Sequence, residues 1–138
     1  MALSIANVTF ACEDPAALAG FWAAALGYDE EPTPPEVLQE MQARGEDPNQ
    51  AAAASDPTGR GPRLFFEKKT KRQGELVPIH LDLFACGADL ETEATRLVAL
   101  GAVRVERRSQ TLGDFTAEWI VMKDPEGNGF CLQGGGSE

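Results

Sequence analysis

Histidine is almost missing from this chain: among 138 residues only His80 carries an imidazole. Any general base titrating near neutral pH, and any imidazole ligand to a metal, must therefore be that one side chain. Cysteine is scarce as well. Cys12, Cys86 and Cys131 lie far apart, show no CxxC spacing and, being odd in number, cannot all pair within one chain. They read as reduced thiols in or near the core. Basic residues are outnumbered, 12 against 22 acidic ones, and the formal charge of -10 repels phosphate backbones and anionic lipid heads. Nucleic acid and membrane surfaces are excluded as expected partners, whereas a neutral or cationic ligand would suit such a chain. No apolar run approaches the roughly 20 residues that span a bilayer, and the start MALSIANVTF lacks the basic end and long apolar centre of a secretory signal. A cytoplasmic protein is expected. There is no HExxH, no glycine-rich phosphate loop and no nucleophile elbow, which removes hydride-transfer, phosphate-loop and serine-hydrolase readings.

What the chain does contain is a hydrophobic period that alternates between two and 3.6, the signals for strand and helix. Residues Ile5 to Cys12 read as a strand with Ala6, Val8, Phe10 and Cys12 on one face and Asn7, Thr9 and Ala11 on the other. Asp14 is placed to cap a helix that Pro15 opens, with Leu18, Phe21, Trp22, Ala25 and Leu26 at helical spacing and Gly27 closing it. Trp22 is expected in helix packing.

The plan then repeats. Ile79 to Ala85 reads as a strand, with Ile79, Leu81 and Leu83 facing one way and His80, Asp82 and Phe84 the other. Asp89 caps a helix bearing Leu90, Ala94, Leu97, Val98 and Leu100, again closed by glycine, Gly101. The triplets Phe10-Ala11-Cys12 and Phe84-Ala85-Cys86, and Ala25-Leu26-Gly27 and Ala99-Leu100-Gly101, recur at a separation of 74 and argue for an internal duplication. Within the strands, apolar alternation prefers a separation of 73, matching Val8 to Leu81, Phe10 to Leu83 and Asn7 to His80. The extra length then falls in the Cys86-Gly87-Ala88 corner, where glycine tolerates an irregular bend.

Between the repeats, Glu36 to Arg44 reads as a short helix with Val37, Leu38 and Met41 on one side, ended by Gly45. Gln50 to Ser55 and Pro62 to Lys69 read as strands joined by the turn-forming run 56–61, and the basic run 68–72 as a solvated linker. In the second half, Val103 to Arg107 and Thr116 to Lys123 form a hairpin, Asp124-Pro125-Glu126-Gly127-Asn128 a turn and Gly129 to Gln133 the last strand. The tail 134–138 is expected to be flexible. One domain over 1–138 follows, built of a first module of about 1–72 and a second of about 76–133.

These pieces together carry a resemblance. Asp14-Pro15 leading to Phe21-Trp22 and Leu26-Gly27-Tyr28, then His80-Leu81-Asp82-Leu83, then Leu97-Val98-Ala99-Leu100-Gly101-Ala102, then Asp124-Pro125-Glu126-Gly127-Asn128, are specific in combination. The chain resembles the glyoxalase/bleomycin-resistance/dioxygenase (vicinal oxygen chelate) superfamily over nearly its whole length, and within it the glyoxalase-like subgroup. The resemblance implies an α+β fold of two βαβββ modules forming a curved mixed sheet around a cleft, with the helices outside. Val8, Phe10, Leu64, Phe66, Leu81, Leu83, Phe130 and Leu132 are then expected under the helices. Asn7, Thr9, Phe65, Glu67, His80, Asp82, Phe84, Cys131 and Gln133 are expected to line the cleft. Members with metal chemistry take a ligand from the first and last strand of each half, and those places are matched to Asn7, Glu67, His80 and Cys131. An amide and a thiol in two of four places suit Mg, Mn, Ni or Fe poorly, although zinc accepts Glu, His and Cys.

Two functions follow. The first is a small-molecule-binding protein like the drug-sequestering members, with no metal cofactor expected, Asn7, Thr9, Phe65, Glu67, His80, Asp82, Phe84 and Cys131 as ligand-binding residues, and a homodimeric assembly implied by the family. The alternative is a metal-dependent lyase, isomerase or dioxygenase-like enzyme using Glu67 and His80 as catalytic candidates, its divalent metal held by Glu67, His80 and Cys131. Trp119 joins Phe84 as an aromatic candidate for ligand contact. Cys131 reads as a small hydrophobe rather than a nucleophile, with no adjacent base to lower its pKa.

Overall fold

Strands that bury one face alternate strictly between apolar and polar side chains, and a helix that covers such a face needs its own apolar stripe. Both patterns are realised twice in a computed structural model of the chain, which describes residues 5–69, 80–112 and 114–134. Side chains of Leu112 and Phe115 are not described. The chain separates into two compact units, Met1–Gln73 and Gly74–Glu138. Each is a βαβββ-type module with its own four-stranded mixed sheet, so the fold is α+β.

Module one runs β1 (Asn7–Cys12), α1 (Pro15–Leu26), β2 (Asp29–Glu30), α2 (Pro35–Ala43), β3 (Ala51–Ser55) and β4 (Arg63–Lys68). Its strand order is β1-β4-β3-β2, with β1 and β4 parallel and the other pairs antiparallel. Asp14 caps α1 by accepting from Ala17 N at 3.2 Å, and Gly27 ends it at φ 70°, a left-handed turn that glycine adopts without strain. The helix buries Leu18, Trp22 and Phe21 against Leu64, Phe66 and Ala54. Phe10 stacks on Phe66 at 5.1 Å and meets Trp22 at 5.6 Å. Each large side chain so buried stabilises the module by roughly 1.5–3 kcal/mol.

Module two runs β5 (Leu81–Phe84), α3 (Leu90–Leu100), β6 (Val103–Leu112), β7 (Phe115–Lys123) and β8 (Gly129–Gln133), in the order β5-β8-β7-β6. Here β5 and β8 are parallel, and the remaining pairs antiparallel. Asp89 caps α3 through Thr92 N at 2.8 Å, and Gly101 ends it at φ 117°. Leu90, Ala94 and Leu97 are buried, as are Ile120, Met122, Phe130 and Leu132 of the sheet. Asp124 is only 1% exposed and organises the turn before β8, accepting from Glu126 N, Asn128 N and Asn128 Nδ2 at 2.7–2.9 Å. On the same side as α3, Glu91 receives Arg104 and Arg107, whose hydrogen bonds lower its pKa to about 2.

Six points need correction or limits. The strand β2 escaped the sequence because two polar residues cannot display alternation. The β6–β7 hairpin continues to Leu112 and Phe115, since the polar run Arg107 to Thr111 keeps a backbone ladder without apolar period; its register shifts between Arg104 and Glu106, and Val103 and Val105 are exposed. The helix α2 buries none of its side chains fully: Leu38 and Met41 are half-buried and Val37 is exposed. Cys12 is buried and Cys131 half-buried, but Cys86 is exposed because the corner after β5 turns outward at Gly87, φ 73°. That corner is two residues longer than its counterpart after β1: Ala85 to Asp89 spans three intervening residues and Cys12 to Asp14 one. Ile79, the linker 70–75 and the tail 135–138 lie outside the described residues.

The loop between β3 and β4 is built on Asp56, whose carboxylate accepts from Thr58 N, Thr58 Oγ1 and Gly61 N and is held below the usual carboxylate range by those bonds. A Cβ on Gly61 would stand 2.1 Å from the Tyr28 hydroxyl oxygen and 3.1 Å from Cζ. Gly61→Ala is therefore expected to cost about 1–3 kcal/mol in urea unfolding, and a large part of that loss should be absent in a Tyr28→Phe background. Equal losses in the two backgrounds would contradict this packing.

Candidate functional site

With one face of each sheet under a helix, the chemistry that remains is on the opposite, helix-free face. Strand register sorts it into ranks of side chains that stand side by side across a sheet. In module one Asn7 stands beside Arg63, Thr9 beside Phe65 and Ala53, and Ala11 beside Glu67 and Ala51. In module two His80 directly precedes β5, Asp82 stands beside Cys131 and Val121, and Phe84 beside Gln133 and Trp119. The separation of 73 makes Asn7 the counterpart of His80 and Thr9 that of Asp82. The same ranks then make Phe65 the counterpart of Cys131, and Glu67 that of Gln133.

Burial separates the two faces of each sheet. Leu64, Phe66, Phe130 and Leu132 are buried, and Val8, Phe10, Leu81 and Leu83 are half-buried. Asn7, Thr9, His80, Asp82 and Phe84 are exposed, Phe84 to 57%. Phe65, Glu67, Cys131, Gln133 and Trp119 are half-buried.

The four positions matched to metal ligands are not all brought together. Asn7 and Glu67 lie at opposite ends of the β1–β4 pair, two ranks or about 13 Å apart along the strands. Each is engaged separately: Asn7 Oδ1 accepts from Arg63 Nη1 at 3.0 Å, and Glu67 pairs with Lys69 at 3.0 Å. Alternation showed which face Glu67 occupies; it could not show which rank, because parallel register depends on where the strands enter the sheet.

Module two does assemble a donor set. His80 Nε2 lies 3.2 Å from Asp82 Oδ1, and ligand atoms of His80, Asp82 and Cys131 all lie within 4.8 Å of one another. Burial, the Asp82 charge and the hydrogen bond to Asp82 push the Cys131 thiol above its ordinary value, Arg108 opposing them weakly. An imidazole, a carboxylate and a thiol are donors that Zn²⁺ accepts, and the set fits that ion better than Mg²⁺ or Mn²⁺. Asp82 is thus the residue that completes a potential ligand set, a role the sequence did not assign to it.

Module one carries the opposite chemistry in the equivalent ranks. Arg63 donates from Nε and Nη2 to the two oxygens of Glu31 at 2.6 and 3.0 Å, and its Cζ lies 5.5 Å from the centroid of the Phe65 ring. The guanidinium lowers the Glu31 pKa, and the carboxylate raises that of Arg63. A guanidinium has no lone pair to offer a metal ion, so at this position module one supplies no ligand of its own.

A protonated Cys131 should be alkylated by iodoacetamide at pH 8 more slowly than free cysteine, as peptide mapping can follow. Asp82→Asn removes a negative charge that disfavours thiolate, so the Cys131 rate should rise, by up to about ten-fold if the shift is one pKa unit. An unchanged rate would show that Asp82 does not act on the thiol.

The model of the glyoxalase-like domain matches residues 7–133 of the chain. No curated protein matches it. Among solved structures, a glyoxalase/bleomycin resistance protein/dioxygenase family enzyme from Burkholderia phytofirmans is similar at 14% identity and TM-score 0.61, covering 96% of this chain and 98% of its own. A mutant of the fosfomycin resistance protein FosX from Listeria monocytogenes, complexed with Mn(II) and 1S,2S-dihydroxypropylphosphonic acid, is similar at 14% identity and TM-score 0.67, with 96% and 90% covered. The oxidase ChaP-H2 follows at 16% identity and TM-score 0.59, with 99% and 97% covered. At such identities these structures share the fold with this chain. With the family model spanning both modules and the duplicated sheets laid out as described, the chain belongs to the glyoxalase-like domain family of the vicinal oxygen chelate superfamily.

Proposed function

We propose that this protein binds a small organic molecule on the helix-free faces of its sheets, without a four-ligand metal centre. The observation that carries this reading is the asymmetry of the equivalent ranks. In module one, Asn7 and Phe65 stand in the ranks that His80 and Cys131 occupy in module two, and Arg63 is hydrogen-bonded to Asn7, so these ranks offer neither an anionic nor an imidazole donor. Phe65, Phe84 and Trp119 offer apolar surface, and Asn7, Thr9, Glu67, His80, Asp82 and Cys131 offer polar anchors, the mixture that small-molecule sites use. The chain's surplus of 10 negative charges favours a neutral or cationic ligand over an anionic one. Among the described residues no helix is long and apolar enough to cross a membrane. A cytoplasmic homodimer remains the assembly the family suggests.

A second reading has one specific observation in its favour, the close approach of His80, Asp82 and Cys131. FosX, a structural relative, was solved with Mn(II). A metal-dependent lyase, isomerase or dioxygenase-like enzyme would here use His80 with Asp82 and Cys131 as ligands, and such an ion would supply Lewis-acid polarisation of a bound oxygen. The chain's own part would be to release the Cys131 proton and to turn His80 toward the ion.

Thermal-shift screening of metabolites and antibiotics, with and without Zn²⁺, Mn²⁺, Ni²⁺ and Fe²⁺, separates the two readings. Stabilisation by an organic compound in the presence of chelator is the expected result, and it should survive His80→Ala in part. Ligand binding that appears only with metal, and turnover lost together with the metal in His80→Ala, would establish the enzyme instead.

A further inference from the structure

The side chain of Arg63 is held from three directions on the helix-free face of module one. Glu31 takes Nε and Nη2, Asn7 takes Nη1, and Cζ lies over the Phe65 ring, 5.5 Å from its centroid. A guanidinium has five N–H donors and no acceptor, so three are used and two are left. Those two belong to a planar fork already fixed in place, which removes most of the rotamer entropy a free arginine would lose on binding.

Charge decides what the fork can hold. The bidentate Glu31 carboxylate offsets the positive charge of Arg63, so the remaining donors act by direction rather than by net attraction. An anion would gain little there and would approach a chain carrying -10 overall. A neutral acceptor oxygen loses less solvation and can take a hydrogen bond from the fork. Beside it, half-buried Phe65 lies in the rank of Thr9 and Ala53, whose small side chains leave the rim of the ring beyond the guanidinium open to a flat group.

Resting on the small-molecule reading above, the geometry points to Arg63 as the residue that determines specificity, selecting a neutral planar molecule that places a carbonyl oxygen on the guanidinium and its flat part along Phe65. Arg63 here does with fixed N–H groups what a metal does elsewhere, polarising a ligand oxygen, and Glu31 sets the charge of the ligand it accepts. The Thr9 hydroxyl and the Asn7 amide NH₂, in the same two ranks, are further donors within the reach of such a group.

The test is a ¹H–¹⁵N NMR titration of the full chain with 4-hydroxyacetophenone as a neutral planar ketone, and benzoate and benzylamine as charged probes. The ketone should shift amides of residues 7–9 and 63–66 and bind at least about ten-fold tighter than benzoate, a difference of about 1.4 kcal/mol. Arg63→Lys keeps the charge but loses the fork, and should weaken the ketone by about ten-fold. Glu31→Gln leaves Arg63 with an uncompensated charge and should move the preference toward benzoate. Ketone shifts confined to module two, an unaltered affinity in Arg63→Lys, or an unaltered preference in Glu31→Gln would each overturn the role of Arg63 while leaving small-molecule binding intact. No shift in either module with any probe at 10-fold molar excess and above would count against both this role and the binding reading.

Discussion

One face of each sheet is covered by one helix, and everything else in the protein follows from that burial. The side chains of a strand alternate, so burying Leu64 and Phe66 beneath α1 obliges Arg63, Phe65 and Glu67 to stand on the other side. Burying Phe130 and Leu132 in module two does the same for Cys131 and Gln133. A slip of one residue in either strand would expose two large apolar side chains, at roughly 1.5–3 kcal/mol each. The polar face is thus specified by the apolar one, and the residues available for chemistry are chosen before any ligand is considered.

Duplication gives the two modules the same frame with different contents. Both helices start on an aspartate cap after the first strand and end on a glycine in the left-handed region. In the ranks the frame makes equivalent, module two presents His80, Asp82 and Cys131, whereas module one presents Asn7, Arg63, Thr9 and Phe65. The first set accepts a proton or an ion; the second donates hydrogen bonds. The small-molecule reading proposed above rests on this difference.

Much of the frame was legible without coordinates because it rests on local rules. Asp14, Pro15 and Gly27 fix α1 to the residue, and Asp89 and Gly101 do so for α3, since caps are sequence-local physics. The separation of 73 in the strands, preferred on alternation over the 74 of the triplets, agrees with the burial of both first strands and with the irregular corner at Gly87. Two kinds of feature stayed hidden. Elements held mainly by backbone pairing, such as Asp29–Glu30 and the polar end of the β6–β7 hairpin, carry no hydrophobic period. Rank within a parallel pair is set by nonlocal register, so Glu67 was placed on the right face and two positions from where Phe65 faces Thr9. The Arg63–Glu31 pair joins residues 32 apart and leaves no pattern a single sequence can reveal.

Absence of a resident metal from a working, ligand-competent protein is the claim on which this account turns. Metal content measured by elemental analysis, on full-length protein purified without chelator or affinity-tag metal, addresses it most directly. The account predicts well under one divalent ion per chain in protein that still binds an organic ligand. A stoichiometric ion that persists through purification, and disappears on His80→Ala or Cys131→Ser, would contradict it.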